Sequence, residues 1–211
     1  MFRLSHPTVS LASQSMLSGA LESPNVLLSH PTVALASHTT IILNIHTSNL
    51  PSFFFTLKML SLLKKRPSPR VVTVASQSGL LKPSYSNEKK GIFLSSASSL
   101  TYEQLDTLME GFIVATESNN HKEEGYPNSC YGISKAGVIA FTKILSRLEP
   151  SVLSNCLCPG YCDTDMTSHG GDRTPEKGAE TALYLALSED TLVKQGGKFF
   201  YDLKEIQWES E

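Results

Sequence analysis

Tyr131 and Lys135 stand four residues apart in the stretch SCYGISKAG, residues 129–137, which reads as the first turns of a helix. Positions i and i+4 share a helix face, so the two could be simple surface neighbours. They could also do chemistry. A free tyrosine has a pKa of about 10 and is a slow acid or base near neutrality. An ammonium one turn further on favours the phenolate, and the sequence therefore predicts a lowered tyrosine pKa. Ser76 ends the apolar run that starts at Arg70, and its hydroxyl could bind the same oxygen as the phenol.

These residues need elements to position them. Residues 70–76 (RVVTVAS) are apolar, β-branched and bounded by turn residues, which predicts a short buried strand. Before it, Asn49 and its neighbours offer N-caps, Pro51 suits a first turn, and Phe54, Leu57, Leu60 and Leu63 follow at helical spacing. Residues 80–128 read as polar and irregular apart from a helix at about Thr101–Thr116. The helix that begins near Ser129 carries Tyr131 and Lys135. A strand over residues 152–158 follows and ends at Pro159-Gly160. Thr174 and Pro175 open another helix, whose buried face is expected at Ala179, Leu183 and Leu187. A last strand is expected at 198–202. Helices alternating with short apolar strands imply a parallel sheet, with ligands at the carboxyl ends of its strands.

The stretches VVTVASQSG (71–79), YGISK (131–135) and NCLCPGYCDTDM (155–166) together resemble the short-chain dehydrogenase/reductase family, in particular its monomeric carbonyl reductases. The long excursion between Ser76 and Tyr131 is similar to an insertion in that branch. TPEKGAETALYLAL (174–187) and QGGKFFYDLKEIQW (195–208) are similar to its C-terminal part. The resemblance covers about residues 47–211. It implies a partial Rossmann-type, doubly wound α/β fold corresponding to the C-terminal half of such an enzyme. It also implies hydride transfer from NADPH to an aldehyde, ketone or quinone. Tyr131 would then be the general acid, Lys135 its tuner and a ligand of the nicotinamide ribose, and Ser76 the holder of the carbonyl oxygen. Thr164 would contact the nicotinamide carboxamide, and Pro159-Gly160 would let backbone approach the cofactor. Asn49, or Asn44 if the local match is shifted, would be the helix asparagine that supports the lysine through water.

The family's TGxxxGxG loop and NNAG motif have no counterpart here. Gly19 is the only glycine before Gly79. Residues 1–46 form a Ser-, Thr- and His-rich segment in which LSHPTVSLAS (4–13) recurs as LSHPTVALAS (28–37). Asn25–Ser29 is the candidate strand to pair beside residues 71–76; without one, an apolar sheet edge would be open to a protein partner. A catalytically inactive relative that binds only a partner is the alternative from a different class. A serine hydrolase using Ser76 is disfavoured because no GxSxG surrounds it.

Bulk numbers set the remaining bounds. The chain has 211 residues, 40% hydrophobic and 18% charged, with a net charge of −2, so there is no electrostatic case for nucleic acid or an anionic membrane. No apolar run approaches the roughly 20 residues that span a bilayer. Cys156, Cys158 and Cys162 cluster around a Pro-Gly pair without zinc-site spacing, and with Cys130 they fit free thiols in a reducing, cytoplasmic location.

Overall fold

The computed structural model of the protein describes residues 33–36, 40–44 and 49–209. One sheet organises them, with strands in the order β1 (Val33–Ala36), β2 (Thr40–Asn44), β3 (Arg70–Val74), β4 (Leu153–Cys158), β5 (Phe199–Tyr201) and β6 (Lys204–Glu205). The four central strands β2 to β5 run parallel, and β1 and β6 close the ends antiparallel. This is the partial Rossmann-type α/β fold that the sequence implies.

The neighbour of β3 differs from the expected one. Thr40–Asn44 lies beside it in parallel register, from Thr40 opposite Arg70 to Asn44 opposite Val74. The candidate Asn25–Ser29 lies outside the described residues, and the place it was to fill is taken. The apolar edge expected beside residues 71–76 is therefore covered, with β4 on the other side of β3. β1 falls within the second copy of the LSHPTV motif.

Alternation along the strands feeds two cores, because successive side chains point to opposite faces. Val71, Cys156, Cys158 and Phe199 join the larger one. It is covered by α1 (Asn49–Leu63), α2 (Asn87–Leu94), α3 (Tyr102–Glu117) and α4 (Cys130–Leu148). Phe53 of α1 stacks on Phe141 of α4 with ring centroids 4.2 Å apart. Val72, Leu157 and Phe200 face the other way, against α5 (Pro175–Leu187) and α6 (Thr191–Lys194). Arg70, at the start of β3, donates to the carbonyls of Leu185 and Ser188, a cation at the carbonyl end of α5.

Helix ends follow local chemistry. Thr101 and Gln104 form a reciprocal capping box at α3, Ser129 caps α4, and Thr174 caps α5 with Pro175 in the first turn. Two expectations need correction. Residues 80–128 hold a second helix, α2, capped by Ser86. The buried face of α5 is Gly178, Thr181, Leu185 and Ala186; Leu183 and Leu187 are exposed, as is Ala179. A Cβ on Gly178 would lie 2.3 Å from the Cys162 sulfur, so α5 meets the loop after β4 at this glycine.

Candidate active site

The chain leaves β3 at Val74, and Ser76 caps the one-turn 3-10 helix Gln77–Gly79. The Ser76 hydroxyl accepts from the Ser78 amide at 3.1 Å. With that lone pair used, its own hydrogen is available to point outward. The turn seats on α4 without side chains between. A Cβ on Gly132 would come 2.9 Å from the Ser78 carbonyl oxygen, so only glycine allows this approach. That seat brings Ser76 to the first turn of α4, where its hydroxyl lies close enough to the Tyr131 phenol to draw its pKa down.

One turn along, Lys135 is buried, and its ammonium donates to the Val74 carbonyl at 3.2 Å. Its Nζ lies 5.6 Å from the centre of the Tyr131 ring. The structure thus brings Ser76, Tyr131 and Lys135 to one place at the carboxyl end of β3, as their sequence positions imply. Cys158, the last residue of β4, is buried close enough to act electrostatically on both Tyr131 and Lys135.

The titration order differs from the expected one. Burial pushes the Tyr131 phenol up, the Ser76 hydrogen bond draws it down, and the Cys158 thiol pushes it up again. Tyr131 keeps 47% of its surface exposed, so solvent screening weakens the upward push. Burial also pulls Lys135 down to about 8. The ammonium therefore loses its charge before the phenol ionises, and the net shift of the Tyr131 phenol is upward, against the lowering that the sequence predicts. Between about neutrality and 8, Lys135 is a charged neighbour of a protonated tyrosine, which suits a proton donor.

The loop after β4 supplies the other candidates. Gly160 has φ +84°, and a Cβ there would meet the Arg173 side chain at 2.7 Å. Arg173 holds this turn: it donates to the Pro159 carbonyl, to both carboxylate oxygens of Asp202 and to the Tyr201 hydroxyl. The glycine is thus required first by its own backbone and by Arg173. Thr164 is the cap residue of the short 3-10 turn Asp165–Thr167, and among the described residues its buried hydroxyl has no hydrogen-bond partner. Such a group fits a ligand with a donor or acceptor to offer, as a carboxamide has. Asn49 is the first residue of α1, and its side chain lies outside the described residues. The backbone of Asn44 pairs in register with Val74, whose carbonyl receives Lys135.

Sequence reasoning missed the close fit of Gly79 and the Ser78 carbonyl against α4 at Lys135 and Gly132, and the Arg173–Asp202 clamp. Only the spacing of Gly132 next to Tyr131 offered a signal. Two concavities lie elsewhere, one lined by Pro69, Arg70 and Leu153 and the other between α2 and α3; neither includes the Ser76–Tyr131 pair. Among the described residues, no helix is long and apolar enough to cross a membrane.

The family model for short chain dehydrogenase matches residues 85–174. Carbonyl reductase (NADPH) 1 of Rattus norvegicus is 38% identical over 151 residues, covering 68% of this chain and 53% of that protein. (+)-Neomenthol dehydrogenase of Capsicum annuum is 36% identical over 148 residues, covering 69% and 46%. Among solved structures, salutaridine reductase from Papaver somniferum superposes with a TM-score of 0.61 at 33% identity, covering 70% of this chain and 50% of that one. The chain spans about half the length of the relatives it matches. The match runs through the motifs that carry Tyr131, Lys135 and Thr164, on a sheet of the same kind: the chain belongs to the short-chain dehydrogenase/reductase family.

Proposed function

We propose that the chain is a carbonyl reductase acting on a small aldehyde, ketone or quinone, with Tyr131 as the proton donor. The observation that carries this reading is the meeting of the Ser76 hydroxyl, the Tyr131 phenol and the Lys135 ammonium at one strand end. NADPH, bound, would supply the hydride to the carbonyl carbon. The Ser76 and Tyr131 hydroxyls converge on the carbonyl oxygen and hold it as negative charge develops. Tyr131 then passes its proton to that oxygen. Lys135 remains charged below about 8 and offsets the charge left on the phenol. Anchored on the Val74 carbonyl, Lys135 would hold a ribose hydroxyl of the bound cofactor. The unpartnered Thr164 hydroxyl and the Pro159-Gly160 turn would hold the nicotinamide end, and Asn49 would support Lys135.

The similarity to carbonyl reductases supports the substrate class and the choice of NADPH. Free thiols at all four cysteines are compatible with a reducing, cytoplasmic setting. The test is a titration of NADPH fluorescence with the full chain, followed by NADPH oxidation with an aldehyde, a ketone and a quinone. Saturable binding with turnover of at least one carbonyl is expected. A chain that binds no NADPH would instead be a non-catalytic relative, and the exposed Leu183 and Leu187 of α5 would offer its partner a contact face.

A further inference from the structure

We infer that Trp208 is a positioning residue for the Ser76–Tyr131 pair, acting through Gly79; the inference rests on the reading of that pair as the carbonyl-binding group. Trp208 is the only tryptophan in the chain, and it is buried at 4% exposure in the segment after β6. Its indole Nε1–H donates to the Gly79 carbonyl at 2.8 Å. The Gly79 amide in turn donates to the Ser76 carbonyl at 2.9 Å. One residue therefore links the indole to Ser76 by hydrogen bonds on both sides of its backbone.

The same segment is fixed from behind. The Leu81 amide donates to the Trp208 carbonyl at 2.9 Å, so Trp208 grips the chain on both sides of Leu80. The indole is itself held in place. Phe93 meets it edge-on at 5.9 Å, and the Lys143 ammonium lies 5.8 Å from its ring centre. Gly79 is also the residue whose backbone lies against Lys135. The indole thus presses the turn onto α4 at the point that sets how far Ser76 stands from Tyr131. A buried phenylalanine would fill much of the same space, yet it would leave the Gly79 carbonyl unpaired and the turn free to lift.

The test reads the pair directly. The full chain is made with tyrosine labelled at Cζ, and the Tyr131 signal is assigned with Tyr131→Phe and titrated by NMR. Ser76→Ala gives the effect of losing the serine hydrogen bond. Trp208 is then replaced by phenylalanine and, because that variant could fail to fold, also by benzothienylalanine, which keeps the indole shape and lacks the N–H. Both replacements are expected to raise the Tyr131 pKa by at least half of the rise seen in Ser76→Ala. They should lower kcat for NADPH-dependent quinone reduction on the order of 10-fold, with KM for NADPH changed less than about twofold. A Tyr131 titration in the benzothienylalanine chain that superimposes on wild type overturns the proposal, and so does a Ser76→Ala chain in which Tyr131 does not shift. Shifted titrations in a wild-type chain without turnover would reject the reductase reading and leave the positioning role standing.

Discussion

A Cβ placed on Gly79 would lie 2.6 Å from the carbonyl carbon of Lys135, so the turn that carries Ser76 and the helix that carries Tyr131 meet backbone to backbone. No side chain can move aside to relieve such a contact. Gly79→Ala is expected to destabilise the chain by about 1–3 kcal/mol, the usual cost of overpacking. It should also lower carbonyl reduction, because relief requires the turn to lift from α4. Chemical denaturation and steady-state kinetics on the purified variant check both. Unchanged stability would mean that the turn is not seated as described.

Lys135 gives a pH signature. Burial holds its pKa at about 8, below that of a lysine in an unfolded chain, so the fold disfavours its charge. The sign follows by linkage: stability is lowest where Lys135 is charged in both states, below about 8, and the loss is released as pH rises through about 8 towards 10.5. Lys135→Met removes the buried charge along with the bond to Val74. It is expected to be more stable than wild type by roughly 1–3 kcal/mol at neutral pH, with the gap narrowing towards about pH 10. Denaturation midpoints of the two proteins over this range measure it. A gap that stays constant would show that Lys135 keeps an ordinary pKa.

Gly160 and Arg173 should be coupled. Gly160→Ala meets two penalties, the left-handed backbone at φ +84° and the Arg173 side chain that Asp202 and the Pro159 carbonyl hold in place. The backbone part costs about 1–2 kcal/mol wherever it occurs. The steric part disappears in an Arg173→Ala background. A double-mutant cycle is expected to show a smaller, nonzero cost for Gly160→Ala in that background, with a coupling of about 0.5–1.5 kcal/mol. Equal costs in the two backgrounds would remove Arg173 from the account of this turn.

Much of this fold is legible in the residues because its local signals agree with one another. Thr101, Ser129 and Thr174 are N-cap types ahead of apolar periodicity, and each does cap a helix. The short helix α2 is not legible in the same way, since Phe93 is its one buried residue and no apolar stripe announces it. The face of α5 misleads because its contact residues include Gly178 and Thr181, whereas Leu183 and Leu187 look like core and face solvent. β2 is hard to assign because apolar runs at 25–29 and 40–44 compete for the same place beside β3.

The candidate site divides along similar lines. Ser76, Tyr131 and Lys135 can be read from their places at a strand end and a helix start. The order in which the phenol and the amine titrate cannot, because it depends on how deeply each is buried. Neither can the close seat of Gly79 and Gly132, since a glycine in sequence does not reveal which backbone it touches.

The most direct test of the central claim is kcat for NADPH-dependent carbonyl reduction by Tyr131→Phe, measured beside NADPH affinity. Tyr131 as the proton donor predicts a fall in kcat of at least about 100-fold with NADPH Kd within a few-fold of wild type. Wild-type turnover in Tyr131→Phe would contradict it.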